Sequence, residues 1–186
     1  MPPKIKVTAD DILRAAISLI RENGSQAINA RTIASKLGCS TQPIFSNFET
    51  MKALHDAVVI KAHQEFESYM QREISSGQYP PYKAYGLAYI RFAKDESQLF
   101  QFLYMRDRSD DLQEPEDQVH QQMENIVMEN TNLDNRNAQL FHLEMWSFVH
   151  GIASMFATGF LELDWDLVSK TMTDVYLGLR KQHNVG

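Results

Sequence analysis

The sequence is poor in residues that cross-link chains or interrupt helices. Its 186 residues include one cysteine, Cys39, with only 8 glycines and 6 prolines. A single cysteine excludes an intramolecular disulfide and favours a reducing compartment, so we expect a cytoplasmic protein. The scarcity of glycine and proline favours helices. Hydrophobic residues make up 44% and charged residues 23%, which is typical of a globular chain with a substantial core.

Long apolar runs are also missing. The N-terminal residues are polar and lack the apolar segment of a secretion signal. The most apolar stretch, residues 145–163, is interrupted by His150 and Glu162. It therefore predicts a buried helix and not a membrane span, and we expect no membrane partner.

Positive charge is in the minority, since the formal net charge is −6. The two signs are unevenly distributed, however: residues 1–52 carry about +3 and the remainder about −9. Binding of a phosphate backbone requires local positive charge more than a basic total. The charge distribution therefore permits nucleic-acid binding at the N-terminal end.

Three short helices are predicted at the N-terminus. The first begins after Thr8, whose spacing to Asp11 is close to a capping box, and ends at Gly24. The second covers 31–37. The third covers 41–48, with Ser40 as its cap and Pro43 tolerated in its first turn. Two short helices separated by about four residues form a helix-turn-helix pattern.

Helical periodicity continues to the end of the chain, and we find no strands or repeats. The sequence predicts an all-α fold of about nine helices, with an exposed loop over 106–116. The six helices predicted after the first three cover 50–75, 82–94, 98–105, 118–129, 135–159 and 165–181.

The segment 32–48, TIASKLGCSTQPIFSNF, resembles the helix-turn-helix signature of TetR-family transcription regulators. Cys39 takes the position of the usual valine, Phe45 that of the usual tyrosine and Asn47 that of a common histidine, while Lys52 falls at the expected lysine. The resemblance is close over residues 8–55. It implies a DNA-binding domain over 1–52, joined by a long helix to a helical effector-binding and dimerisation domain over 53–186.

The helical pattern of the third helix separates a buried face from a recognition face. Ile44 and Phe48 are four residues apart and point to the core, while polar residues occupy the other faces. Glutamine side chains such as that of Gln42 suit adenine in the major groove. Two alternatives stay open: Phe45 as a core residue, and Asn47 as a cap of the helix end. The predicted DNA-binding residues are Arg31, Thr32, Ser40, Thr41, Gln42, Phe45, Ser46, Asn47 and Lys52.

The last two helices are apolar on more than one face, which predicts a homodimer. Small residues that allow close helix approach recur along the penultimate helix, and apolar residues recur along the last one. The alternative is that all these faces pack within one chain. The predicted interface residues are Ser147, Gly151, Ser154, Thr158, Val168, Met172, Val175, Tyr176 and Leu179.

Aromatic and methionine residues of the middle helices suit an apolar ligand in an adaptable cavity. The alternative is that they are ordinary core residues. Trp146, His150 and Gly151 also match a W-x-x-x-H-G pattern that resembles one group of TetR-family C-terminal domains. The predicted ligand-binding residues are Phe66, Met70, Tyr89, Phe92, Phe100, Leu103, Tyr104, Met123, Val127, Trp146 and His150.

Together these features predict a ligand-responsive repressor that binds a palindromic operator as a homodimer and is released by a small, largely apolar molecule. The alternatives are a ligand-independent DNA-binding protein and a small helical enzyme. The sequence has no Gly-rich phosphate loop, nucleophile elbow or H-E-x-x-H motif, so we expect no catalytic residues and no cofactor. His142 and His150 are too far apart on one helix to share a metal, so we expect no metal site.

Overall fold

The computed structural model describes residues 7–106, 115–160 and 162–185, with the backbone alone for 115–118. Within these ranges the chain forms nine α-helices and no strand, which confirms the predicted all-α class. The helices are α1 (Ala9–Asn23), α2 (Ala30–Lys36), α3 (Gln42–Asn47), α4 (Met51–Ile74), α5 (Pro81–Asp95), α6 (Ser97–Tyr104), α7 (Pro115–Thr131), α8 (Asn135–Ala157) and α9 (Trp165–Gln182).

The chain divides into two compact units. Among the described residues, the first unit comprises 7–68 and 96–106, and the second comprises 69–95, 115–160 and 162–185. The first unit thus contains more than the 1–52 domain predicted from the sequence, because most of α4 and all of α6 belong to it.

The first unit is assembled around α1, which packs against α2, α3 and α6. A capping box fixes the start of α1. The Thr8 hydroxyl accepts a hydrogen bond from the Asp11 backbone N–H, and the Asp11 carboxylate accepts one from the Thr8 backbone N–H. On the outer side of α1, the Arg21 guanidinium donates to Glu65 at 2.6 Å and to Glu96 at 2.9 Å. These two ion pairs connect α1 to α4 and α6 within this unit.

The second unit is assembled around α8, which packs against α5, α7 and α9. Asp134 caps α8 by accepting from the Asn137 backbone N–H, and Asp164 caps α9 in the same way through Asp166. Phe141, fully buried on α8, belongs to a cluster with Val127 and Ala138.

Three local features differ from the sequence prediction. Helix α7 begins at Pro115, so Pro115 and Glu116 are helical and not part of a loop; residues 107–114 of that predicted loop lie outside the described residues. Proline is favoured in a first turn because its missing N–H has no helical partner there. A short 3-10 helix over Ser25–Ala27 was not predicted. The N-cap of α3 is Thr41 and not Ser40.

Across the described part of the chain, none of the helices combines the length and the apolar character that a membrane crossing requires.

Candidate functional site

The first unit presents two short helices joined by a tight turn. Helix α2 ends at Lys36, and Gly38 adopts φ +64°, a left-handed conformation that most side chains avoid. Ile33 on α2 and Ile44 on α3 are fully buried, so each helix turns one face to the core of this unit. The geometry is that of a helix-turn-helix.

The outer face of α3 is polar apart from one aromatic ring. Gln42, Phe45 and Ser46 share this face at i, i+3 and i+4, and all three are exposed. The Phe45 side chain is 50% exposed, so this ring is not a core residue. Asn47 on the same short helix is also exposed, as is Ser40 in the turn, while Thr41 is half-buried. An exposed face of this composition can donate to phosphates, accept from bases and contact thymine methyl groups.

Three of the predicted contact residues also have structural hydrogen bonds. The Thr32 hydroxyl belongs to a capping box with Asn29 at the start of α2. The Ser46 hydroxyl donates to the Gln42 carbonyl at 2.9 Å, and the Asn47 amide donates to the Pro43 carbonyl at 2.8 Å. These bonds stabilise the two short helices, and those of Thr32 and Ser46 were not predicted from the sequence.

The basic residues around the two helices differ in their partners. Arg31 is exposed, and among the described residues it forms no ion pair. Lys52 is exposed and pairs with Asp56 at 3.0 Å along α4. Such an exposed pair contributes little to stability, so the lysine can exchange its partner for a phosphate. Lys36 instead pairs with Glu22 of α1 at 2.7 Å.

The second unit contains a cavity of about 590 Å³ between the start of α5 and helices α7, α8 and α9. A volume of this size is typical of sites for small molecules. None of the predicted ligand-binding residues lines it, although Met172 and Tyr176, both predicted for the dimer interface, do. The lining residues are Pro80, Pro81, Tyr82, Lys83, Ile126, Glu129, Asn130, Met145, Met172, Thr173, Tyr176, Leu177 and Arg180.

The predicted ligand-binding residues are divided between the two units. Phe66, Phe100, Leu103 and Tyr104 lie in the first unit, where the Phe66 and Phe100 rings pack against that of Tyr104. In the second unit, Met70, Phe92 and Val127 are buried core residues. Tyr89, Met123 and Trp146 line a much smaller cavity, of about 20 Å³, that shares Tyr82, Met145 and Met172 with the larger one.

The residues of the W-x-x-x-H-G pattern contact an array of rings beside this small cavity. The Trp146 ring stacks on His150 at 4.9 Å, and His150 Nδ1 lies 3.0 Å from the Tyr89 hydroxyl. The ring of His120 lies 5.4 Å from that of Trp146 and is nearly perpendicular to it.

A second chain of hydrogen bonds passes through His142. Its Nδ1 lies 3.0 Å from the Tyr82 hydroxyl and its Nε2 lies 2.9 Å from His120 Nδ1. Burial, with a smaller contribution from His120, lowers the pKa of His142 from 6.5 to about 4. Burial also raises the pKa of Tyr82 well above its usual value. Both groups are therefore neutral at pH 7. Among the described residues no group of three or more His, Cys, Asp or Glu side chains is arranged to hold a metal ion.

The predicted dimer residues of α8 lie on an accessible surface, whereas those of α9 are buried or half-buried. Along one stripe of α8 and its C-cap residue Thr158, Ser147 and Thr158 are exposed and Gly151 and Ser154 are half-buried. A Cβ added at Gly151 would meet no atom within 4 Å, so the stripe is open there.

On α9 the prediction requires a correction. Val168 and Met172 are each only 2% exposed, so they face the interior of their own chain. Val175, Tyr176 and Leu179 follow at helical spacing on the same side and are half-buried. The apolar pattern of α9 thus describes its inner face, and its exposed leucines are Leu167 and Leu177.

A three-helix head with an exposed polar recognition helix defines a helix-turn-helix protein. A family model described as "Tetracyclin repressor-like, C-terminal domain" matches residues 82–175, half of the chain. The chain belongs to the TetR family of transcriptional regulators. The predicted membership of the TetR family is confirmed.

Solved structures share the fold over nearly the whole chain. A TetR-like transcriptional regulator from Rhodococcus sp. RHA1 superposes with a TM-score of 0.70 at 14% identity, covering 98% of both chains. A putative TetR-family regulator from Vibrio parahaemolyticus gives 0.65 at 21% identity, covering 90% of this chain and 95% of the other. The fatty acid degradation regulator FadR from Bacillus halodurans gives 0.63 at 16% identity, covering 96% and 97%. A sequence comparison with curated proteins finds no significant match.

Proposed function

We propose that this protein is a homodimeric repressor that binds a palindromic operator and is released by a small molecule. The observation that carries the proposal is the outer face of α3, where Gln42, Phe45 and Ser46 are exposed while Ile44 anchors the helix to its unit. A helix with one buried face and one polar exposed face is what entry into a major groove requires.

The surroundings of this face support DNA as the partner. Arg31 lies at the start of α2 and Lys52 at the start of α4, so the chain supplies a cation before and after the recognition helix. In helix-turn-helix proteins, contacts to phosphates position the module and contacts to base edges provide sequence recognition. We assign the first role to Arg31 and Lys52 and the second to Gln42 and Phe45.

Exposed apolar side chains on the last two helices support dimerisation. Leu140, Leu143 and Met155 are exposed on α8, and Leu167 and Leu177 are exposed on α9. Five large apolar side chains exposed on two helices are typical of a surface covered by a partner. A two-fold related pair of heads would read two half-sites, which is why we propose a palindromic operator.

The cavity of the second unit supports a small-molecule effector. Its volume of about 590 Å³ suits a molecule of drug size. Release from DNA requires that the effector bind the DNA-free form more tightly than the DNA-bound form. The family relationship, named after a repressor, supports repression as the output.

We expect Gln42→Ala to weaken specific operator binding about tenfold, because it removes a side chain that can pair with adenine. Fluorescence anisotropy with labelled DNA from upstream of the protein's own gene measures this. The matched control is Gln64→Ala, which removes an exposed glutamine from α4 and should leave affinity unchanged. If wild-type protein shows no specific, salt-sensitive binding to this DNA or to related loci, the proposed function is wrong.

We expect Leu143→Arg to convert the dimer to a monomer, because it places a charge at one of the exposed apolar side chains of α8. Light scattering after size exclusion measures the mass. Ile60→Arg, at an exposed aliphatic residue of α4, is the control and should remain dimeric. A dimer that persists in Leu143→Arg contradicts this interface, and a wild-type monomer contradicts dimerisation altogether.

A further inference from the structure

The larger cavity of the second unit has an apolar wall and a charged edge. Met145 of α8 and Met172 and Tyr176 of α9 form much of the wall. Methionine and aromatic side chains adapt to an apolar ligand body of variable shape. The charged residues that line the cavity are Lys83, Arg180 and Glu129, so cations exceed acids there.

Lys83 is the charged group that is most informative about the ligand. It is half-buried, and its ammonium donates to the Thr173 hydroxyl at 2.8 Å and lies 4.9 Å from the centre of the Tyr79 ring. Among the described residues no carboxylate pairs with this ammonium. The ammonium has three N–H donors, and the hydrogen bond to Thr173 uses one of them. Because the charge is partly removed from water and has only a neutral acceptor and an aromatic ring beside it, an anionic ligand would stabilise it.

The positions of the lining residues along α9 indicate how a ligand would be oriented in the cavity. Thr173, which fixes the Lys83 ammonium, and Arg180 both line the cavity and are seven residues apart, which is about 10 Å along a helix. Tyr176 lies between them, and the Arg180 guanidinium is 6.0 Å from the centre of its ring. If the anionic group of a ligand contacts Lys83, the apolar part of the same ligand would therefore lie along the Tyr176 ring. Glu129 is exposed and comes from α7, on another wall.

We propose that this cavity binds an amphipathic carboxylate, with the carboxylate on Lys83 and the apolar body against Met145, Met172 and Tyr176. The inference rests on the proposed function in one respect, because it identifies this ligand as the effector that releases DNA. The sequence predicted a largely apolar molecule. The cavity adds a negative charge to that description.

Three probes with one apolar body and different charges test the proposal: 4-phenylbutyrate, 4-phenylbutan-1-ol and 4-phenylbutylamine. Isothermal titration of the full-length protein should show the carboxylate binding about tenfold tighter than the alcohol, because of a charge-assisted hydrogen bond to Lys83, and the amine binding most weakly. Equal affinities, a preference for the amine, or no binding by any probe would overturn the proposal.

Variants locate the site. Lys83→Met should reduce 4-phenylbutyrate affinity about tenfold and leave the alcohol unchanged, while Lys83→Arg should retain most of the affinity. The control is Lys170→Met, which removes an exposed lysine of α9 that pairs with Asp174 outside the cavity. Ile126→Trp should weaken both probes by filling the cavity. Unchanged affinity in Lys83→Met, or equal losses for acid and alcohol, contradicts recognition of the charge by this residue.

The final measurement separates this inference from the proposed function. Adding 4-phenylbutyrate to the operator complex should release the DNA, and it should do so less effectively with Lys83→Met. If the probe binds as expected without releasing DNA, the ligand site stands and its role as the effector site is wrong. If the protein binds no operator at all, the titrations still decide the ligand class while the repressor proposal fails.

Discussion

Replacement of Phe141 by alanine is expected to lower the free energy of unfolding of the second unit by about 4 kcal/mol. Phe141 is 0% exposed and belongs to the cluster that joins α7 and α8 through Val127 and Ala138. Its ring also meets the edge of Tyr176 at 5.6 Å and the ring of His183 at 5.5 Å, at the end of α9. The alanine variant therefore loses apolar contacts to α7 and α9 and leaves a cavity between these helices and α8.

Urea denaturation followed by tryptophan fluorescence measures this effect in the right part of the chain. Both tryptophans, Trp146 and Trp165, belong to the second unit and report on its unfolding. Phe141→Leu keeps most of the buried volume and should lose only about 1 kcal/mol. Phe160→Ala is the control for the same chemical change at a side chain that is 79% exposed, and it should be nearly neutral. A loss in Phe141→Ala no larger than that of Phe160→Ala would contradict the assigned core.

Most helices could be predicted because their signals are local. The capping box of Thr8 and Asp11 and the polar turn at Gly38 lie within a few residues of the helix ends that they determine. Helix α7 was misplaced at its start because Pro115 was interpreted as a loop residue, although proline is also favoured in a first turn.

The sites were harder to predict because they depend on contacts between distant residues. The large cavity takes lining residues from four elements, and no sequence pattern indicates that Lys83 of α5 lies against Thr173 of α9. The periodicity of α9 gave its apolar stripe correctly, but periodicity alone does not determine whether a stripe faces the chain's own interior or a partner. The burial of Val168 and Met172 shows that it faces the interior.

The recognition helix α3 could be predicted in part, less completely than the helix ends and better than the cavity. The spacing of Ile44 and Phe48 identified the buried side, and the exposure of Phe45 removes its interpretation as a core residue. The hydrogen bond from Asn47 to the Pro43 carbonyl agrees with the alternative in which this amide supports the helix end. Gln42 and Phe45 therefore stand as the strongest candidates for base contacts.

Acidification from pH 6.5 to pH 4 is expected to destabilise the second unit through His142 by about 2 kcal/mol. The pKa of His142 falls from 6.5 to about 4 on folding, because burial and the neighbouring His120 disfavour the charged ring. Between these two pH values His142 is protonated in the unfolded chain and neutral in the folded one. Stability from this group is complete above pH 6.5 and is lost as the pH falls towards 4. A shift of this size corresponds to about 3 kcal/mol over the whole titration, and only part of it falls between pH 6.5 and pH 4, because each of these limits is the half-titration point of one state.

The hydrogen bonds around His142 explain why the folded protein favours the neutral form of this ring. With the Tyr82 hydroxyl donating to Nδ1, the proton of the neutral ring lies on Nε2 and is donated to His120 Nδ1. A second proton would have to enter at Nδ1, where the Tyr82 hydroxyl would have to become an acceptor. The Coulombic interaction with the His120 ring, 2.9 Å away, adds to this penalty. Protonation therefore acts on the packing of α7 and α5 against α8.

Two variants and one direct titration test this expectation. In His142→Gln the difference in free energy of unfolding between pH 6.5 and pH 4 should be about 2 kcal/mol smaller than in wild type, because the titrating group is gone. His120→Asn should give a smaller reduction, since burial, the larger cause of the shift, remains. In NMR the His142 ring should titrate near pH 4 in the folded protein. A midpoint near 6.5, or the same pH dependence in His142→Gln as in wild type, would show that this histidine is solvated and that the α5–α7–α8 packing differs from the one described.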